Sequence, residues 1–181
     1  KLRKLMLITI IIKFLYYHKI NSFMDTLLNH LKTLGISYIS HSHPAVFTVE
    51  QSKKLKLAYT GKHTKSLFIK DTESRYYLVC MSAEKKLDTK NLRKHLNAKD
   101  LRFASKEELF KILKLTPGSV SIFGLVNDNE HKVHLLLDRE LWEADSVGFH
   151  PNTNTQTLEL KHEDLRKFYD SLPNKKEILE I

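Results

Sequence analysis

At 181 residues the chain is long enough for one domain with a real core and too short for two comfortable ones. Its 41% hydrophobic content, with five glycines and four prolines, excludes a disordered chain, and its one cysteine, Cys80, excludes an internal disulfide or a cysteine zinc cluster. The formal charge of +9 permits nucleic-acid or acidic-surface binding without demanding it: five of the nine excess positive charges (Lys1, Arg3, Lys4, Lys13, Lys19) lie in residues 1–20, which carry no acid, leaving an excess of four.

Taken in chain order, Leu5 to Ile12 form an apolar run flanked by positive charge. The run resembles the start of a signal peptide or a short membrane anchor, but it is too short to span a bilayer and no small-residue cleavage pattern follows. Residues 1–20 are therefore read as a basic, apolar extension, with Met24 as the expected start, residues 21–173 as the domain and 174–181 as a C-terminal tail. From Asn21, the residues Phe23, Leu27, Leu28, Leu31 and Leu34 recur at helical spacing and Gly35 supplies the stop. Ile36 to Ser40 reads as a strand, His43-Pro44 breaks it, and Thr48 caps a predicted helix from Val49 to about Leu57. Lys65 to Lys70 and Tyr76 to Met81, separated by Asp71-Thr72-Glu73-Ser74, predict a hairpin.

Asp88 is placed to cap a helix with the apolar stripe Leu92 and Leu96, and Ser105 with Glu108 forms a capping-box pattern for Leu109 to Leu113. Strands are expected near Ser119 to Ile122, Val133 to Leu137 and Thr155 to Leu160, with a helical turn at Arg139 to Ala144 and a last helix over His162 to Ser171. Strands and helices mix without strict alternation, which predicts an α+β fold: one mixed α/β domain whose central mixed, mostly antiparallel sheet is flanked by helices. There is no internal repeat.

Five segments, in order, carry a resemblance: His43-Pro44-Ala45-Val46-Phe47-Thr48-Val49-Glu50, His63-Thr64-Lys65-Ser66-Leu67-Phe68, Pro117-Gly118-Ser119-Val120, Phe123-Gly124-Leu125-Val126-Asn127-Asp128 and Phe149-His150-Pro151-Asn152-Thr153-Asn154. The ordered set resembles the freestanding prolyl-tRNA editing domains of the YbaK/ProX group, related to the editing insertion of bacterial prolyl-tRNA synthetases, over about Asp25 to Tyr169. The resemblance implies a cytoplasmic trans-editing deacylase that hydrolyses the ester of alanyl-tRNA(Pro). It also implies no metal and no cofactor, with the acceptor end of tRNA(Pro) as partner and prolyl-tRNA synthetase or an elongation factor as delivering proteins. Cysteinyl-tRNA(Pro) is the runner-up substrate, because the cysteine-specific branch departs from the His-Pro-Ala-Val-Phe-Thr and Phe-Gly-Leu-Val-Asn-Asp segments. The family's lysine falls on Lys65 and its histidine on His150. Its glycine-containing loop falls on Gly118 to Ile122. Two positions depart from the family pattern: Ser66 stands where asparagine is usual and Ile122 where proline is usual.

Ester hydrolysis needs an activated water and donors aimed at the developing oxyanion. Lys65 could fix the terminal adenosine's phosphate or polarise the ester carbonyl, and His150 could position water or the ribose hydroxyls. The amides of Ser119 and Val120, beside Gly118, could bind the substrate's carbonyl or amine. Val46, Phe47 and Val49 are candidates for the lining of a small pocket, with Ser66 and Asn127 added to the substrate-binding set. Lys85, Lys86, Lys90, Arg93 and Lys94, with Lys99 nearby, are the cations expected to meet tRNA phosphates; a solvated helix face is the alternative. No nucleophile elbow is present, which favours direct water attack, assisted in the family by a hydroxyl of the terminal ribose. A metallohydrolase using His41, His43 and His63 and a binding module that has lost activity are the competing readings.

Overall fold

The structure, a computed structural model, describes residues 23–46, 51 and 60–181. The predicted helix after Thr48, the pocket candidates Phe47 and Val49, and the N-terminal extension lie outside the described residues. Helix α1 covers 23–33, with Leu27 and Leu31 fully buried. Gly35 sits at φ +62° and ends it: its N–H donates to the Lys32 carbonyl, and the Ile36 N–H reaches back to Leu31. Ile36 is consequently buried as the apolar partner of that stop, so the strand expected from Ile36 begins three residues later as β1, Ile39–Ser42.

The hairpin forms from β2, Lys62–Asp71, and β3, Tyr76–Ser82, in antiparallel register from Thr64↔Ser82 to Lys70↔Tyr76. The buried carboxylate of Asp71 closes it by accepting from the backbone N–H groups of Glu73 and Arg75 and from the Tyr77 hydroxyl. Helix α2, Thr89–His95, starts at Asp88, whose carboxylate accepts from the Lys90 and Asn91 amides. A three-residue strand β4, Leu101–Phe103, precedes helix α3, Lys106–Leu113, where Ser105 and Glu108 complete both halves of the capping box.

The strand expected at Ser119 to Ile122 is instead a turn leading into a 3-10 helix, Ile122–Asn127. Gly118 stands at φ +91° and buried Ser121, extended just before the 3-10 helix, caps it through the Phe123 amide, so no strand forms. Next come β5, Val133–Asp138; α4, Arg139–Trp142; β6, Ser146–Phe149; β7, Gln156–Lys161; α5, His162–Ser171; and β8, Lys176–Leu179. The tail expected after residue 173 thus contributes a strand.

The sheet order is β1-β7-β6-β2-β3-β5-β8, with β4 beside the far half of β2. It is mixed, as expected: β2 and β3 are antiparallel, as are the pairs of β7 with β1 and β6 and of β4 with β2, whereas β6 runs parallel to β2, β5 to β3 and β8 to β5. Alternation along β2 and β3 divides the interior. Phe68, Leu78 and Cys80 face the larger core with α1, α3, α5 and the 3-10 helix, while Ile69, Val79 and Met81 face Leu92 of α2. Three fully buried aromatic rings lock the larger core: Phe123 lies edge-to-face on Phe168 at 5.0 Å and on Phe149 at 6.0 Å.

Candidate active site

The parallel pairing of β2 with β6 puts His63 opposite Gly148. Two residues further along each chain stand Lys65 and, just past the end of β6, His150, so residues remote in sequence reach one level of neighbouring strands. The Thr64 hydroxyl ties the strands together there by donating to the Gly148 carbonyl, 2.6 Å.

Lys65 pairs with Met81 across the hairpin and faces the α2 side. Its ammonium donates to the carbonyls of Ala83 (3.3 Å) and Lys85, which seat it in the segment between β3 and α2. Ser66, the next residue, points through the sheet to the other core, where its hydroxyl meets the buried Cys80 thiol at 3.3 Å. The departure from the family's asparagine therefore lies on the face opposite the lysine. Burial pushes the Cys80 thiol up to about 12, so it is no nucleophile at neutral pH.

His150 is half-buried, and its Nδ1 lies 2.8 Å from the Gln156 carbonyl. A carbonyl only accepts, so Nδ1 carries the proton. Burial lowers the ring's pKa below the ordinary histidine value, and the neighbouring His43, 5.6 Å away ring to ring, works in the same direction. The result is a neutral imidazole whose Nε2 presents a lone pair. His43 is held in turn: its Nδ1 meets the Pro44 carbonyl at 2.9 Å and its Nε2 the Thr157 hydroxyl at 3.1 Å. Sequence reasoning weighs His43 only as a metal ligand and does not name Thr157, since only the tertiary fold brings this supporting pair beside His150; His43-Pro44 in the resemblance is the available signal.

The loop at Gly118 closes on itself. The Ser119 hydroxyl donates to the Thr116 carbonyl (2.9 Å) and accepts from the Thr116 amide, and the Ser119 amide donates to the Thr116 carbonyl. Of the two amides expected to meet substrate, that of Ser119 is thus engaged, whereas that of Val120 has no partner among the described residues. The loop runs into the 3-10 helix whose Phe123 packs on Phe149, the residue before His150. Asn127 donates its amide to the Leu113 carbonyl at the end of α3, and Val46 is buried and paired with Asn154.

Among the expected tRNA-facing cations, Lys86, Lys90 and Lys94 are exposed on or beside α2, the helix on Lys65's side of the sheet. Arg93 stands 3.9 Å from Asp100. Lys85 is committed elsewhere, pairing with the fully buried Asp138 at 2.8 Å and with Glu140 at 3.3 Å. Of the histidines weighed as metal ligands, His41 bonds Glu159 at 3.0 Å, and no group of three or more His, Cys, Asp or Glu among the described residues is arranged to hold a metal ion.

A neutral histidine with an available lone pair and a seated ammonium at one level of the sheet can, in chemical terms, activate water and meet developing negative charge. Residues 43–168 match the family model of the aminoacyl-tRNA editing domain, and the chain belongs to that family, whose activity is aminoacyl-tRNA deacylation. It is 36% identical over 152 residues to the prolyl-tRNA editing protein ProX of Acetoanaerobium sticklandii, covering 83% of this chain and 93% of that protein. It is 35% identical over 142 residues to a prolyl-tRNA synthetase associated domain-containing protein 1 from Danio rerio, covering 77% of each. The fold is shared with a solved candidate trans-editing enzyme for prolyl tRNA synthetase: TM-score 0.66 at 20% identity, over 88% of this chain and 97% of the other. Among the described residues no helix is long and apolar enough to cross a membrane.

Proposed function

We propose that the protein is a cytoplasmic trans-editing enzyme that hydrolyses the ester of alanyl-tRNA(Pro), so that alanine is removed from the tRNA that should carry proline. What supports the reading is the parallel pairing of β2 with β6, His63 opposite Gly148, which puts Lys65 at the level of a neutral, Nδ1-protonated His150 just past the end of β6. The Nε2 lone pair of His150 accepts a hydrogen bond from the attacking water, or from the terminal ribose hydroxyl that holds it, and so draws its proton as the carbon–oxygen bond forms. The Lys65 ammonium and the Val120 amide meet the negative charge that develops on the ester carbonyl oxygen. Collapse of the tetrahedral intermediate expels the ribose oxygen, which takes up a proton, and frees alanine.

Preference for alanine is supported by the His-Pro-Ala-Val-Phe-Thr and Phe-Gly-Leu-Val-Asn-Asp segments, which follow the alanine-specific branch of the family. Size alone limits discrimination, since one methyl-scale difference is worth about 1–3 kcal/mol. A small closed pocket rejects the proline ring sterically. Delivery by prolyl-tRNA synthetase or an elongation factor is part of the same reading.

The test is hydrolysis of alanyl-, cysteinyl- and prolyl-tRNA(Pro) by the wild type and by Lys65→Ala. Loss of alanine alone, slowed roughly 10²–10³-fold in the variant, supports the reading. Turnover of cysteinyl-tRNA alone transfers the assignment to the runner-up, and inertness toward all three leaves a tRNA-binding module.

A further inference from the structure

Asn152 sits in the turn that follows His150 and is only 8% exposed, yet neither its Oδ1 nor its Nδ2 has a hydrogen-bond partner among the described residues. Buried carboxamides are almost always paired, because an unpaired polar group out of water is costly. The neighbouring side chains are paired: Asn154 donates to the Val46 carbonyl at 3.1 Å, and Thr153 and Thr155 bond each other. Nor is Asn152 loose. Its N–H donates to the His150 carbonyl at 2.9 Å, and the turn is stitched to the segment after β1 by the His43 amide on the Thr155 carbonyl and the Val46 amide on the Asn154 carbonyl. Its φ of +62° is a left-handed conformation, uncommon outside glycine, that holds this geometry.

We propose that Asn152 is a substrate-binding residue whose carboxamide oxygen accepts a hydrogen bond from the α-ammonium group of the aminoacyl ester; this rests on the deacylase reading above. The α-carbon is bonded to the carbon that water attacks, so an acceptor one tight turn from His150 reaches the group on that carbon. An ammonium is donor-only, and Lys65 and the Val120 amide are donors as well, so the site needs an acceptor, which the orphaned Oδ1 supplies. The burial decides against the terminal adenine. Pairing with a base edge requires a wide slot for the purine plane, which a carboxamide whose Oδ1 and Nδ2 are both buried does not offer.

The test uses two non-hydrolysable compounds, 3′-alanylamido-3′-deoxyadenosine and its propionylamido counterpart, which lacks the ammonium. They are titrated calorimetrically into wild type, Asn152→Ala and Asn152→Asp, with urea unfolding of each protein. A hydrogen bond to a charged group corresponds to about a ten- to hundredfold preference. The wild type is expected to prefer the alanyl compound by that factor, Asn152→Asp to keep the preference, and Asn152→Ala to lose it while remaining folded. A wild type that binds both compounds equally, or a folded Asn152→Ala that keeps the preference, overturns the assignment. So does an Asn152→Ala protein whose stability falls while its preference stays. Hydrolysis of alanyl-tRNA(Pro) by the same wild-type sample reports on the deacylase reading separately.

Discussion

At the scale of single residues, His150 shows how one hydrogen bond fixes a chemical role. The Gln156 carbonyl at Nδ1 settles the tautomer and burial keeps the ring neutral, so Nε2 is the basic atom at neutral pH. Because the pKa is lowered, the protonated, inactive form appears only below the ordinary value of about 6.5. Enzyme-catalysed deacylation, corrected for spontaneous hydrolysis, should be level above that pH and fall with a single inflection on its acid side. In His150→Ala that inflection should vanish and the rate drop about 10²–10⁴-fold. Linkage runs the same way: the unfolded histidine takes up its proton more readily, so this group's contribution to stability declines as pH falls through that range. Both nitrogens of His150 could be read as candidates from the sequence; which one carries the proton could not, since the Gln156 carbonyl arrives from the next strand.

At the scale of elements, Glu108 connects local and tertiary order. Its carboxylate accepts from the Ser105 amide to close the capping box of α3, and also from the Lys70 ammonium of β2 and the Tyr76 hydroxyl of β3. Lys70 first and the Ser105 amide second pull its pKa down to about 2. A depressed carboxylate stabilises the fold above its unfolded value and loses that contribution as pH falls towards the folded one. Glu108→Gln is therefore expected to cost about 1–3 kcal/mol at pH 7. In urea unfolding, variant and wild type should converge between roughly pH 4.5 and pH 2. The box was legible because Ser105 and Glu108 are three residues apart; the attachment to the hairpin was not. The same division explains the elements that were missed. Caps at Asp88 and Gly35 and the Asp71 turn are local signals. The short strands β4, β6 and β8 carry few residues of pattern and exist because β2 and β5 offer them hydrogen-bonding edges.

At the scale of the molecule, the sheet divides labour between its faces. One face holds the large core under α1, α3 and α5, where Phe123→Ala is expected to cost about 3–5 kcal/mol in urea unfolding by emptying the space between Phe149 and Phe168. The other face carries Lys65 and, above it, the exposed lysines around α2. If Lys86, Lys90 and Lys94 meet tRNA phosphates, replacing all three by alanine should raise KM and leave kcat intact. It should also flatten the dependence of log affinity on log salt by about 2–3 units of slope. Lys85→Ala should behave differently, destabilising the fold by uncovering the buried Asp138. By itself the sequence determined the mixed α+β class, the family and the two candidate residues, because caps, turns and motif order are local properties of the chain. Only the tertiary structure decided that β2 and β6 run in parallel to bring Lys65 level with His150, that Ser66 faces away from that site, that Lys85 is an internal counter-ion and that Asn152 keeps a buried, unpaired carboxamide. These are matters of long-range register and burial, set by which strand lies beside which.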